Sequence, residues 1–153
     1  MIIKENLCKK NYKYEVEKTE NDWESIVIYF DYEKVRGKTI TFSCIQESGD
    51  LTQCGIGMRN LISYLWGDNF PKPRNINEHN KYIKSFFVPD DGQEYGIFFY
   101  CGNAGDTLGN SGKFKDFQIV EGEEPNDIYI PPANVENKTF SIGDGYYKET
   151  KTI

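Results

Sequence analysis

Apolar and polar residues alternate along much of the chain, in short segments separated by turn-forming residues, which is typical of β-strands. The alternation is cleanest in residues 39–45. It predicts a strand with Ile40, Phe42 and Cys44 facing the core and the intervening hydroxyl residues facing outward. Residues 89–92 (Pro-Asp-Asp-Gly) predict a turn, because proline fixes φ and glycine accepts a positive φ. Further strands are predicted at residues 12–18, 25–32, 53–60, 81–88 and 94–101.

Residues 113–122 (KFKDFQIVEG) differ from the other segments because they carry apolar groups on both predicted faces. Strict alternation places Phe114 and Val120 on one face and Phe117 and Ile119 on the other. A strand that is covered on both sides is typical of the middle of a β-sandwich. We therefore expect the fold to be organised around this segment.

The remaining segments set the limits of the domain. Residues 61–66 are compatible with a single helical turn, and residues 67–80 are predicted to form a long polar loop. The last twenty residues are polar and have little periodicity. We predict an all-β sandwich of two antiparallel sheets with about eight strands in residues 1–132, followed by a C-terminal arm or linker in residues 133–153.

The net charge of the chain argues against polyanionic partners. The chain has 24 acidic and 18 basic residues, a net charge of −6, and no run of basic residues. Proteins that bind phosphate backbones usually carry a basic excess, so neither nucleic acid nor an anionic membrane surface is an expected partner. No apolar stretch approaches the roughly 20 residues that a membrane-spanning helix needs.

The four cysteines, Cys8, Cys44, Cys54 and Cys101, are not arranged as a metal-binding set. None belongs to a CxxC pair and the chain has one histidine, so the spacing does not support a zinc site. An even number of cysteines permits two disulfides. No secretory signal precedes the chain, however, and Cys44 and Cys101 lie in apolar runs, so we expect buried free thiols.

Catalytic motifs are absent from the sequence. It has no GxSxG, P-loop or GxGxxG motif, and its histidine, His79, lies in a predicted loop. Paired carboxylates for glycoside hydrolysis stay open as an alternative, because such acids converge only in three dimensions. We expect a protein without enzymatic activity and without a cofactor, a structural calcium ion being the one exception considered.

The calcium alternative depends on Asp116 in the central predicted strand and on oxygen-bearing residues near the N-terminus. Such modules often join their first and last strands through a hard cation held by oxygen ligands. Asp116, with Glu5 or Asn6, gives a candidate calcium site. The reading that we favour has Asp116 bonded to the backbone or to a lysine.

Carbohydrate binding is a further alternative that the residues leave open. Sugars present apolar C–H faces and hydroxyl groups, so their sites combine aromatic faces with amide, carboxylate or guanidinium groups. Residues 59–66 contain such a mixture. The interpretation that we favour has Trp66 packed against the core. The candidate sugar-binding residues are Arg59, Tyr64, Trp66, Arg74, Tyr100 and Asn103.

Three segments carry a family resemblance: residues 37–43 (GKTITFS), residues 89–97 (PDDGQEYGI) and residues 113–122. Together they resemble the carbohydrate-binding-module-like jelly-roll domains of phage tail and baseplate proteins from Gram-positive hosts. In that family a G-K-x-Y-T-x-S strand opens the module and a K-x-K-[ND]-[IF]-Q-[LI]-x-x-G strand closes it. Residues 123–131 (EEPNDIYIP) are similar to the family's acidic ending, although its final tyrosine is absent here.

The resemblance covers residues 35–131 and implies a jelly-roll sandwich that serves as a non-catalytic virion component. It implies a place on a phage tail fibre or baseplate, contacts with cell-wall carbohydrate and other tail proteins, and a homo-oligomer. It transfers no binding residues, since the shared motifs are structural. The alternative is a purely structural virion module that contacts protein only, and a glycosidase is a more distant third.

Overall fold

Two antiparallel β-sheets enclose one apolar core in the computed structural model of the protein, which describes residues 2–23, 25–50, 52–58, 64–66, 74–76, 79–103 and 105–133. No helix in these ranges is long and apolar enough to cross a membrane. The described residues form nine strands and one short helix. They are β1 (Tyr14–Glu17), β2 (Ile26–Tyr29), α1 (Tyr32–Val35), β3 (Thr39–Gly49), β4 (Thr52–Met58), β5 (Tyr64–Trp66), β6 (Arg74–Ile76), β7 (His79–Phe87), β8 (Tyr95–Cys101) and β9 (Ser111–Glu121).

The strand order is that of a jelly roll. The larger sheet has the order β1-β9-β3-β7-β6 and the smaller sheet has the order β2-β8-β4-β5. β6 is a short strand that extends the larger sheet next to β7. The order of the other eight strands is that of two Greek keys. The predicted all-β jelly-roll sandwich is therefore confirmed, and the first strand lies beside the last one.

Strand β3 follows its predicted pattern. Ile40, Phe42 and Cys44 are fully buried in the core. Thr41 and Ser43 face the other way, as predicted, but they are buried too. The Thr41 hydroxyl donates a hydrogen bond to the carbonyl of Gly122 (2.6 Å), so the chain that follows β9 covers this outer face.

Strand β9 lies inside the larger sheet, between β1 and β3, but the expected strict alternation is wrong. Asp116 has a φ of +56°, and Asp116 and Phe117 together lie opposite Cys44 where the register with β3 shifts. This is a β-bulge, which reverses the facing of every residue beyond it. Phe114 and Phe117 therefore both point into the core, and Ile119 follows them.

The segment between β4 and β7 contains more strand than predicted. Residues 64–66 form β5 rather than a helical turn, and they pair with β4. Residues 74–76 form β6 inside the predicted loop, and they pair with β7. The rest of that predicted loop lies outside the described residues until β7 begins at His79.

The N-terminal segment and the segment after β9 lie together along the larger sheet. The Leu7 N–H donates to the carbonyl of Ile119 (2.8 Å). Asn126 is buried, and its amide bonds to the backbone of Lys4 through both its oxygen (2.9 Å) and its nitrogen (2.8 Å). The same nitrogen donates to Gln118 Oε1 (3.1 Å). The predicted C-terminal arm lies outside the described residues except for Ala133.

All four cysteine side chains are buried and are free thiols. Burial raises the pKa of the Cys54 thiol to about 12 and that of Cys101 to about 11. It also raises the pKa of Cys8 and Cys44. The cysteines therefore act as small apolar core groups, as their sequence context predicts.

Candidate functional site

Most of the sequence-predicted sugar-binding residues lie where the side chains are not described. Arg59 is outside the described residues. Tyr64 and Trp66 lie in β5 of the smaller sheet, and Arg74 lies in β6 of the larger sheet. The backbone thus places Arg74 in a different sheet from the two aromatic residues.

Tyr100 and Asn103 are both described, and they occupy opposite environments. Tyr100 lies in β8 and is only 2% exposed, so its ring offers no face to a ligand. Asn103 is exposed in the loop that follows β8. Asn103 is therefore the sequence-predicted residue around which a surface site can be described.

The loop after β8 consists of two successive tight turns. The Asp106 N–H donates to the carbonyl of Asn103 (2.9 Å), and the Asn110 N–H donates to the carbonyl of Thr107 (2.9 Å). Gly105 and Gly109 have φ angles of +78° and +86°, which glycine adopts without strain. The abundance of glycine and asparagine in this segment is what allows the chain to turn twice in so few residues.

The segment before β2 anchors these turns. The Thr107 N–H donates to Asn21 Oδ1 (2.8 Å), and the Gly105 N–H donates to the carbonyl of Asp22 (3.2 Å). Lys18 is buried, and its Nζ lies 2.7 Å from Asp22 Oδ1. The loop is therefore tied at several points to a segment distant in sequence, and its surface is held in place.

Trp23 lies in the anchoring segment before β2, with most of its side chain in solvent. It is 67% exposed, which is unusual for the largest apolar side chain. Its ring contacts the first turn so closely that a Cβ added to Gly105 would lie 2.8 Å from Trp23 Cζ2. The turn thus supports one part of the ring while much of the side chain stays open to solvent.

A depression of about 290 Å³ lies beside the turn. One lining residue, Thr52, is buried, and its hydroxyl lies next to the Tyr82 hydroxyl. The surface is mainly amide, carboxylate and hydroxyl, with one exposed apolar side chain. It is lined by Asp50, Thr52, Gly102, Asn103, Asp106, Leu108 and Asn110.

The depression adjoins the turn against which Trp23 packs, and Trp23 itself is not one of its lining residues. A larger depression of about 470 Å³ lies at the ends of β1 and β9, and another of about 340 Å³ lies along residues 5–9. None of the described residues that line the three depressions is aromatic, so the choice among them depends on the exposed Trp23 ring at the turn beside the first one. We therefore take Trp23 and the depression beside Asn103 as the candidate site, and we call them the loop site.

The residues proposed for calcium have other roles in the described structure. Glu5 is exposed and pairs with Lys34, whose Nζ lies 3.1 Å from Glu5 Oε1. Asp116 forms the bulge of β9. In the described part of the chain, no group of three His, Cys, Asp or Glu side chains is placed to hold a metal ion. The calcium site stays a prediction without structural support.

Sequence reasoning did not single out Trp23, although a signal was present. It follows Asn21 and Asp22 in a polar turn and does not belong to any strand pattern. A tryptophan in such a segment has no predicted core to enter. Asp50 and Asp106 had no comparable signal, because only the fold brings their loops together.

Comparison of the sequence with models of known protein families and with curated proteins finds no match. The jelly-roll topology defines an architecture that serves many unrelated functions. The functional argument therefore depends on the loop site and on the motif resemblance of β9.

Proposed function

We propose that the protein is a non-catalytic carbohydrate-binding module of a phage tail fibre or baseplate, which recognises a cell-surface glycan at the loop site. The observation that carries this proposal is the exposed Trp23 ring, which is held by Gly105 beside a polar depression. Solvent exposure of so large an apolar surface is unfavourable in the free protein, and a ligand that covers the ring relieves it.

The residue types of the loop site match the two surfaces of a sugar. The apolar C–H face of a pyranose packs on an aromatic ring, and its hydroxyls bond to carboxylate and amide groups. Trp23 supplies the ring, and Asp50, Asn103 and Asp106 supply polar groups. The anchored turns fix these groups before binding, which lowers the entropy lost on association.

The placement in a phage tail rests on the resemblance of residues 37–43 and 113–122 to tail-module motifs. The first of these segments begins β3 and the second ends β9, and the two strands pair in the larger sheet. In this proposal the module acts in the virion, outside the host cell, and its further partners are other tail proteins and copies of itself.

A purely structural virion module is the second candidate, and exposed apolar side chains favour it. Phe87 at the end of β7 is 59% exposed, and Ile128 after β9 is 50% exposed. Such groups become buried when modules associate. Light scattering with Phe87→Ala tests this candidate, because loss of an oligomer in that variant would identify a protein contact.

A pull-down with purified cell walls of Gram-positive hosts, followed by a glycan array, tests the proposed function. We expect binding that Trp23→Ala weakens by about tenfold or more, because central aromatic residues dominate binding energy. Ile3→Ala is the control, since it removes another exposed apolar side chain away from the loop site and outside the proposed oligomer contact. Unchanged binding by Trp23→Ala, or no binding to any wall polymer by the folded wild type, would refute the proposal.

A further inference from the structure

The loop site carries negative charge that is not balanced within it. Asp50 and Asp106 both line the depression, and none of the described residues that line it is basic. The buried Lys18 bonds through its backbone to Asn110, but its Nζ is paired with Asp22 at 2.7 Å. Its charge is therefore already compensated beneath the surface.

The two carboxylates differ in how much of their bonding capacity is used. Asp50 Oδ2 accepts a hydrogen bond from the Ser111 N–H (2.9 Å), which ties it to the start of β9. Asp106 is exposed and, in the described part of the chain, makes hydrogen bonds only through its backbone. The Asp106 carboxylate is thus available to a ligand.

The Trp23 ring next to these carboxylates adds an aromatic surface to the loop site. The face of a tryptophan ring attracts cations through its quadrupole, and Trp23 presents an exposed ring next to the turn that holds Asp106. The loop site therefore combines a surface for a sugar face with carboxylates for a positive group.

We infer that the loop site selects glycans that carry free amino groups, such as glucosamine units without their acetyl groups, over neutral or anionic glycans. This inference rests on the proposed function and specifies its ligand class. An ammonium group beside Asp106 gains Coulomb attraction, whereas a phosphate or uronate is repelled by the same carboxylates. Because the charges are near the surface, the selectivity weakens as salt rises.

Isothermal titration calorimetry with two oligosaccharide series tests the inference: glucosamine oligomers and their N-acetylated counterparts, at mildly acidic pH and at low and high salt. We expect the amino form to bind about tenfold more tightly at low salt. We expect high salt or Asp106→Asn to remove most of that preference while binding of the acetylated form is retained. Glu124→Gln is the matched control, since it removes an exposed carboxylate that makes no side-chain hydrogen bond in the described structure.

The outcomes separate the inference from the proposed function. If the acetylated oligomers bind as tightly as the amino oligomers, the charge selection is refuted and the sugar-binding function stands. If Glu124→Gln reduces the preference as much as Asp106→Asn does, the effect comes from net charge and the inference is also refuted. If neither series binds and wall binding is absent too, the proposed function fails together with the inference.

Discussion

Phe114 and Phe117, three residues apart in β9, both place their rings edge-on to the ring of Phe99. The centroid distances to Phe99 are 4.9 Å for Phe114 and 5.4 Å for Phe117. Two residues three apart in a regular strand face opposite sides. The contact exists because Asp116 forms a bulge between the two aromatic residues, so the centre of the core depends on one backbone irregularity.

The first prediction tests this bulge. Asp116→Val should destabilise the protein by roughly 1–2 kcal/mol more than Asp116→Asn does, because asparagine tolerates a positive φ and a β-branched residue does not. Urea unfolding of the two variants measures the difference. Equal stabilities would show that residue 116 does not have the left-handed conformation.

The second prediction concerns the amide of Asn6, which uses all of its hydrogen-bonding capacity. Its nitrogen donates to the carbonyls of Phe117 (3.1 Å) and Ile130 (2.8 Å). Its oxygen accepts from the N–H groups of Cys8 (3.1 Å) and Ile119 (3.2 Å). The Asn6 side chain therefore connects the N-terminal segment, strand β9 and the segment after β9.

Replacing Asn6 by aspartate keeps the shape of the side chain but removes the donor of two of these bonds, because a carboxylate only accepts. At neutral pH a buried carboxylate would face the Phe117 and Ile130 carbonyls, and we expect a loss of about 3 kcal/mol or more in unfolding free energy. Asn103→Asp is the control, because that amide is exposed, and it should change stability by less than about 0.5 kcal/mol. A similar small change in both variants would contradict the described role of Asn6.

Much of the fold could be predicted because buried strand positions are occupied by apolar residues, which form recognisable patterns in the sequence. Alternation identified β3, and the dense aromatic and β-branched run 94–101 identified β8. The bulge at Asp116 has no such pattern, since an aspartate in a strand is also compatible with an outward polar position. The strands β5 and β6 have only three residues each, which is too short for a period to be recognised.

The candidate site was less predictable, for a physical reason. Its groups come from three loops that are far apart in sequence: the segment before β2, the turn at Asp50, and the loop after β8. Sequence reasoning named Asn103 as a polar residue that could add to the Trp66 segment if their strands were neighbours. It did not find Trp23 or Asp106, since no local pattern indicates which loops meet at one end of a sandwich.

The third prediction follows from the burial of the cysteines. Burial raises the pKa of each thiol, so little of the reactive thiolate form is present at neutral pH. We expect no thiol to react with a disulfide reagent such as DTNB in the native protein, and all four to react after denaturation. Rapid reaction of even one thiol under native conditions would show that its strand is less protected than described.

The fourth prediction is that the free energy of unfolding depends on pH through Asp91, in the turn before β8. Asp91 accepts hydrogen bonds from the Tyr95 hydroxyl (2.5 Å) and the Gln93 N–H (3.0 Å), which lower its pKa below the ordinary 3.8. The pKa of Asp91 is therefore lower in the folded state than in the unfolded state. Its contribution to stability is complete above the unfolded-state pKa and is lost as pH falls through the folded-state pKa.

Urea unfolding between neutral pH and strongly acidic pH measures this contribution. Asp91→Asn should show a smaller loss of stability on acidification than the wild type. Asp127→Asn should show the wild-type loss, because that exposed carboxylate makes no hydrogen bond with a described residue. Parallel acid profiles for Asp91→Asn and the wild type would refute the assignment.

The last prediction tests whether the position of the Trp23 ring affects glycan binding independently of the stability of the loop after β8. Gly105 and Gly109 both have positive φ angles, of +78° and +86°, so alanine should cost about 1 kcal/mol at either position. The added Cβ meets Trp23 Cζ2 at 2.8 Å in Gly105→Ala and meets no atom within 4 Å in Gly109→Ala. We therefore expect similar stabilities but reduced glycan binding and altered tryptophan fluorescence only in Gly105→Ala. Equal binding by the two variants would show that the ring orientation set by Gly105 does not matter for the ligand, and the stacking role of Trp23 would have to be abandoned.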